Sequence, residues 1–72
     1  MLTDGLVTVR EARRDRRVTQ AQLATAVGVS RQTIISIERG EHAPSVYLAL
    51  RIARELQTTV EDLFPLTPEE DR

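Results

Sequence analysis

Apolar residues at helical spacing mark a helix in the middle of the chain. The apolar positions between residues 23 and 27 recur at intervals that place their side chains on one face of a helix. Thr19 and Gln22 form a capping box immediately before this stripe, so the predicted helix begins after Thr19. Gly28 supplies the left-handed residue that ends the helix.

A second helix follows after a single intervening residue. It spans residues 31–39, because Ser30 is a good N-cap and Gly40 stops the helix. Ile34 and Ile37 lie one turn apart, so both side chains point towards the same core.

Three further helices complete the predicted set. One runs from near Thr8 to about Arg16, and a longer one begins after Ser45, beyond a loop at residues 41–44. A short helix opens with a capping box at Thr59 and ends before Pro65. The longer helix carries apolar residues at Val46, Ala49, Leu50, Ala53 and Leu56.

These elements predict an all-α fold, a compact five-helix domain with a central helix-turn-helix. A chain of 72 residues holds one domain, residues 1–72, with its core at about 7–64 and a frayed acidic tail at 67–72. Residues 6–9 form a short alternating segment, and three of the four are β-branched, so the segment can also begin as a strand. A short two-stranded β ribbon between this segment and residues 65–67 therefore stays open.

The connection between the two central helices determines how they pack. It is too short for an antiparallel pair, so the helices cross at a steep angle, as in a helix-turn-helix. One face of the second helix remains free and carries Arg31, Gln32, Thr33, Ser36 and Arg39. Arg pairs with guanine O6 and N7, and Gln with adenine N6 and N7. The spacing leaves two interpretations open, a DNA-reading face or the solvent face of an ordinary helical bundle.

Charge is distributed unevenly along the chain. The formal net charge is only −1, but residues 1–39 hold seven arginines and four acidic residues, a balance of +3. Residues 40–72 hold three arginines and seven acidic residues, a balance of −4. A basic half and an acidic half indicate one face that meets a polyanion and another that does not.

The composition also argues against several classes of function. The chain has no cysteine and one histidine, and it lacks a glycine-rich phosphate loop, so we expect no enzyme activity, no cofactor and no metal site. No apolar run approaches the ~20 residues that span a membrane, and the N-terminus lacks the pattern of a signal peptide. A cytoplasmic location is expected. No sensing domain is attached, so no small-molecule effector is expected either.

The sequence resembles the phage repressor and Cro-like helix-turn-helix family, also called the xenobiotic response element family. The motifs that carry the resemblance are TQxxLA at residues 19–24, VGVSRQTI at 27–34, IExG at 37–40 and PS at 44–45. The match continues through EDLF at residues 61–64 and covers roughly Val9 to Phe64. The subgroup it is most similar to consists of small stand-alone regulators.

The resemblance implies a set of DNA contacts. Arg31, Gln32 and Ser36 face base edges, and the recognition helix, residues 30–39, lies in the major groove. Gln20 holds a phosphate at the start of the preceding helix, and Thr33 offers a methyl to thymine or a hydroxyl to phosphate. The full implied set is Thr19, Gln20, Ser30, Arg31, Gln32, Thr33, Ser36 and Arg39, with Arg39 and the loop after Gly40 along the backbone.

The resemblance also implies an internal ion pair between Arg13 and Glu38. Two positions depart from the family pattern, because Arg17 and Gln57 stand where glycine usually ends a helix. We expect both to turn the chain with some strain. Glu41 places a negative charge in the loop expected near phosphates. Because like charges repel, we expect this loop to bind DNA less tightly.

Family members usually bind paired half-sites, so the resemblance implies a homodimer on double-stranded DNA with an inverted-repeat operator. Phe64 and Leu66 are the predicted dimer contacts; the alternative is that Phe64 folds back onto its own core and the chain is monomeric. The leading function is a transcriptional regulator acting as a repressor. An antitoxin of a toxin–antitoxin pair and a protein-interaction module on the same fold remain as alternatives.

Overall fold

The computed structural model describes residues 8–65, and this part of the chain folds into five α-helices without a strand. The helices are α1 (Thr8–Asp15), α2 (Gln20–Val27), α3 (Arg31–Glu38), α4 (Val46–Glu55) and α5 (Val60–Leu63). The prediction of an all-α, five-helix fold with a helix-turn-helix at its centre is confirmed.

Side-chain caps begin four of the helices where the sequence predicted them. Thr19 and Gln22 form a complete capping box, in which Gln22 N–H donates to Thr19 Oγ1 at 3.0 Å and Thr19 N–H donates to Gln22 Oε1 at 2.9 Å. The N-cap residues of α3, α4 and α5 each accept the N–H three residues on. They are Ser30, Ser45 and Thr59. These bonds satisfy amide groups that the helix itself leaves without partners.

A left-handed residue follows each of the first four helices. Gly28 and Gly40 adopt φ of 82° and 77°, and glycine reaches this region at no steric cost. Arg17 and Gln57 both adopt φ of 57°, as the departures from the family pattern predicted. An L-residue in this conformation costs roughly 1–2 kcal/mol, so α1 and α4 end with stored strain.

The core forms where α2 meets α3 and α4. Leu23, Ile34 and Ile52, one residue from each of these helices, are fully buried. The short helix α5 packs against α1 and α4 and buries Leu63, while α1 contributes the buried Val9. α3 packs mainly against α2, and one face of α3 remains outside the core.

The apolar pattern predicted for α4 was partly wrong. Val46 and Leu50 are 77% and 53% exposed, whereas Ile52, absent from the predicted set, is fully buried. The face that packs inward carries Ala49, Ile52, Ala53 and Leu56. Leu50 follows Ala49 by one residue, about 100° around the helix, so both cannot face the same core. The first turn of α4 leaves Val46 in solvent.

Two predictions from the sequence concern the chain ends, namely the β ribbon and the frayed tail. Val9 belongs to α1 and is buried, so it takes no part in the β ribbon predicted for residues 6–9 and 65–67. The other residues of that ribbon, apart from Thr8 in α1 and Pro65, lie outside the described residues. The predicted frayed tail, residues 67–72, also lies outside them.

Candidate nucleic-acid interface

The turn between α2 and α3 is held by backbone hydrogen bonds. The N–H groups of Gly28 and Val29 both donate to the carbonyl oxygen of Ala24, at 2.9 and 3.0 Å. Ser30 then caps α3, because its Oγ accepts the N–H of Thr33 at 3.1 Å. The first residues of α3 consequently begin directly at a rigid turn, with their side chains free to reach outward.

The two faces of α3 differ in burial. Ile34 and Ile37 are 0% and 5% exposed and hold the helix against the core. Gln32 and Ser36 lie on the side away from these isoleucines, where Gln32 is exposed and Ser36 is half-buried, and Arg31 in the first turn is also exposed. Three of the residues predicted to contact DNA, Arg31, Gln32 and Ser36, are therefore accessible to solvent on α3.

Thr33 and Ser30 are paired within this face. Their hydroxyl oxygens lie 3.0 Å apart and share a hydrogen bond. The Ser30 hydroxyl also accepts the cap hydrogen bond, so both hydroxyls are already engaged. The Thr33 hydroxyl keeps further hydrogen-bonding capacity, and its methyl group adds an apolar contact surface beside it.

Gln20 connects the N-termini of the two central helices. Its Oε1 accepts a hydrogen bond of 3.4 Å from Arg31 Nη2, and its Nε2 donates to Glu38 Oε1 at 3.0 Å. The Gln20 side chain is half-buried. Gln20, predicted from the sequence as a phosphate contact, therefore also holds the Arg31 guanidinium in place.

The predicted ion pair between Arg13 and Glu38 is present. Arg13 Nε donates to Glu38 Oε2 at 2.7 Å, and the two side chains are only 11% and 5% exposed. Arg13 Nη1 also donates to the carbonyl oxygen of Val18 at 2.9 Å. A chain of contacts thus runs from α1 through Glu38 and Gln20 to Arg31, so the first helix positions the outer face of α3.

The loop after α3 returns to the same face. The left-handed Gly40 closes a Schellman motif, in which its N–H donates to Ile37 O at 3.0 Å and Glu41 N–H donates to Ser36 O at 2.9 Å. An open cleft of about 360 Å³ results. Its lining consists of Ser30, Gln32, Thr33, Ser36, Glu41 and His42.

Glu41 was expected in a loop near phosphates, but sequence reasoning missed that His42 shares this cleft with the α3 face. The signal was Gly40, since a glycine at this position turns the following residues back along the helix. Glu41 also approaches Arg39, with Oε2 and Nη1 4.0 Å apart and both side chains more than half exposed. The loop therefore brings one negative charge beside the cation at the end of α3.

The same part of the chain holds neither a metal cluster nor a membrane-spanning helix. Within residues 8–65, no group of three or more His, Asp or Glu side chains is arranged to hold a metal ion. None of the helices described is both long and apolar enough to cross a membrane.

The tight turn between α2 and α3 and the exposed polar residues of α3 define a helix-turn-helix domain of the DNA-binding class. A family model described as helix-turn-helix matches residues 9–63. The chain belongs to this helix-turn-helix family of the Cro/C1 type, a family of DNA-binding transcriptional regulators.

Relatives from distant organisms support the assignment. An HTH-type transcriptional regulator of Methanothermobacter thermautotrophicus is 51% identical over 59 residues, covering 81% of this chain and 86% of its own. YgzD of Bacillus subtilis, also named an HTH-type transcriptional regulator, is 41% identical over 61 residues, covering 85% of this chain and 92% of its own. The crystal structure of the clp gene regulator ClgR from Corynebacterium glutamicum superposes with a TM-score of 0.76 at 31% identity. That match covers 88% of this chain and 68% of ClgR.

Proposed function

We propose that this protein is a sequence-specific transcriptional repressor that inserts α3 into the major groove of double-stranded DNA. The observation that carries the proposal is the position of Arg31 and Gln32. Both are exposed and begin α3 directly after its cap, on a helix fixed by buried Ile34. The N-terminal residues of a recognition helix are those that reach base edges.

Arg31 and Gln32 supply complementary base chemistry. The Arg31 guanidinium suits the O6 and N7 acceptors of guanine, and the Gln32 amide suits adenine N6 and N7. Ser36 lies one helical turn after Gln32 and adds a hydroxyl that accepts or donates. Thr33 presents its methyl group, which fits the methyl of thymine.

The contact between Gln20 and Arg31 favours base reading, because a held guanidinium loses less conformational freedom on binding than a free one. A second Nε2 hydrogen of Gln20 remains for a phosphate oxygen. Thr19 can also bind a phosphate oxygen, because its hydroxyl accepts a backbone N–H and still has its own hydrogen to donate. With Arg39 at the other end of α3, these groups fix the register of the helix along the backbone.

We further propose that the protein acts as a homodimer on an inverted repeat. One recognition helix offers few base contacts, and two helices about 34 Å apart read successive turns of DNA. A dimer seated on a promoter blocks other proteins from it, which is the basis of the repressor role. The action needs no cofactor or small-molecule effector, and the DNA it meets lies in the cytoplasm.

The dimer contacts predicted from the sequence, Phe64 and Leu66, stay a prediction. Phe64 is half-buried and packs against the core cluster, and Leu66 lies outside the described residues. A single domain with its core at residues 7–64 likewise remains a proposal.

Selection from a library of random duplexes tests the proposed function. The protein is incubated with the library, bound duplexes are amplified, and the cycle is repeated at moderate salt. We expect enrichment of an inverted repeat whose half-sites lie one helical turn apart. Recovery of unrelated sequences after several cycles would show that the protein has no sequence preference.

A further inference from the structure

Arg17 combines a strained backbone with an exposed charge. It adopts φ of 57°, in the left-handed region that glycine enters freely and an L-residue enters at a steric cost. Its side chain is exposed, and within residues 8–65 it forms no ion pair. A residue held in such a conformation indicates a local function, because the turn alone favours glycine.

Gln57 gives an internal comparison for this position. It adopts the same φ of 57° after α4, but its side chain is uncharged, and the helix that follows has two acidic residues in its first turn. Arg17 follows the exposed Arg14 and Arg16, with Asp15 between them in the sequence, and the helix after it has no acidic residue in its first turn. The same backbone conformation therefore occurs once in an acidic setting and once in a basic one.

Hydrogen bonds fix the segment that carries Arg17 close to the end of α3. Arg17 N–H donates to Arg14 O at 2.9 Å, and Val18 N–H donates to Arg13 O at 3.1 Å. The carbonyl oxygen of Val18 accepts from Arg13 Nη1 at 2.9 Å, and the same guanidinium is paired with Glu38 of α3. Residues 17 and 18 are therefore held by α1 on one side and tied through Arg13 to α3 on the other.

Arg17 also lies next to the predicted phosphate contacts of α2. Val18 packs against the core, while Arg17 and Thr19 are exposed on either side of it. Their backbones are two residues apart and so separated by at most about 7 Å, a distance that a long arginine side chain spans. Gln20 follows directly and is bonded to Glu38 at 3.0 Å.

We propose that Arg17 binds a phosphate of the DNA backbone beside the contacts of Thr19 and Gln20, so that a strained turn presents a cation to DNA. The proposal rests on the proposed function, which places phosphate at those two residues. Such a contact positions the protein on the duplex and carries no sequence information. It also releases counterions, which steepens the dependence of log affinity on log salt by about 0.9.

Anisotropy titrations at several salt concentrations test the charge of Arg17. The probes are the operator selected from the random library and a scrambled duplex of equal length. Arg17→Gln removes the charge but keeps a side chain that this conformation accommodates at Gln57. It should weaken binding to both duplexes by the same factor, about threefold to tenfold, and lower the salt slope by about 0.9. Arg17→Lys should retain the affinity and the slope of the wild type.

Two control variants separate the charge from the strain. Arg17→Gly and Gln57→Gly should both raise the melting temperature by about 2–8 °C, because each removes a side chain from the left-handed region. Only Arg17→Gly should also lose affinity for DNA. Arg54→Gln removes an equal charge from an exposed position on α4, outside the predicted set of DNA contacts, and should leave the salt slope unchanged.

Several results would overturn the proposal. They are an Arg17→Gln variant with the salt slope of the wild type, an Arg17→Lys variant that loses as much affinity as Arg17→Gln, and a loss confined to the operator. An Arg54→Gln variant that lowers the slope equally would assign the effect to overall charge. An Arg17→Gly variant that melts no higher than the wild type would remove the strain from the account.

The scrambled duplex separates this failure from that of the proposed function. A phosphate contact acts on any duplex, so the Arg17 variants report on it even where the wild type shows no preference for the operator. Equal binding of both duplexes by the wild type would contradict sequence-specific recognition alone. A wild type that binds neither duplex would overturn both proposals.

Discussion

Arg13 and Glu38 meet across 2.7 Å between α1 and the end of α3, with both side chains almost removed from solvent. Glu38 accepts from Gln20 as well, and Gln20 holds Arg31. This arrangement makes the pair the link between the body of the domain and the face of α3. Its value is orientation more than net stability, because burying two charges costs about as much as their attraction returns.

A double-mutant cycle measures this link. Arg13→Ala and Glu38→Ala should each lower the free energy of unfolding by about 3 kcal/mol, because each leaves one buried charge without its partner. The double variant should lose less than the sum of the two. As a control, the exposed pair Arg39 and Glu41 should couple by less than about 1 kcal/mol. Additive losses at Arg13 and Glu38 would mean that they contribute independently.

The helix ends give a second prediction about stability. Gly40 has φ of 77° and open space where a Cβ would lie, so Gly40→Ala should cost about 1 kcal/mol through backbone conformation alone. Gln57 adopts the same region with a side chain, so Gln57→Gly should gain about 0.5–1 kcal/mol. Gln57→Ala is the control and should be nearly neutral. Thermal unfolding of the variants and the wild type measures these changes in stability. A Gln57→Gly variant that is less stable than the wild type would contradict strain at this position.

Glu41 provides a prediction about affinity. It lies beside Arg39 and lines the cleft on the α3 face, so its carboxylate competes with phosphate for the Arg39 cation. Glu41→Gln should tighten binding to every duplex and steepen the dependence of log affinity on log salt by about 0.9. Glu61→Gln, an exposed change on α5, should alter neither. Unchanged binding by Glu41→Gln in an anisotropy titration at several salt concentrations would place Glu41 away from the DNA backbone.

Phe64 provides a test of the dimer contacts predicted from the sequence. Its ring packs against the core, so Phe64→Lys should lower the melting temperature, whereas Tyr47→Lys should not, because Tyr47 is 71% exposed. If the prediction from the sequence holds, Phe64→Lys should also abolish the dimer at a temperature where the chain remains folded. Circular dichroism followed by sedimentation of the same samples answers both questions. A folded, dimeric Phe64→Lys would remove Phe64 from the interface.

The helix boundaries followed from the sequence because they depend on local signals. Caps such as Thr19 and Ser30 act within three residues, whereas the left-handed ends at Arg17 and Gln57 were expected from the family resemblance. The outward direction of Leu50 did not follow, because its place on the apolar stripe depends on which helices cover α4. Gln20 contacts Glu38 and Arg31, which lie 18 and 11 positions along the chain. No local sequence signal predicts contacts over such separations.

The place of His42 in the cleft on the α3 face was missed for a related reason, although Glu41 was expected near phosphates. Gly40 was read as a stop signal for the helix, and the direction of the chain after it depends on the full set of backbone angles. The family resemblance supplied what local rules did not, since it placed Arg13 opposite Glu38 across 25 residues of sequence.

The central claim is that Arg31 reads a base, and one comparison of binding constants tests it most directly. Wild type and Arg31→Ala are titrated with the selected operator and with a scrambled duplex of equal length, with Arg14→Ala on α1 as the matched loss of an exposed charge. Arg31→Ala should lose about 1–3 kcal/mol on the operator and much less on the scrambled duplex. Arg14→Ala should change binding to both duplexes alike. An Arg31→Ala variant that loses the same affinity on both duplexes would contradict base reading by this residue.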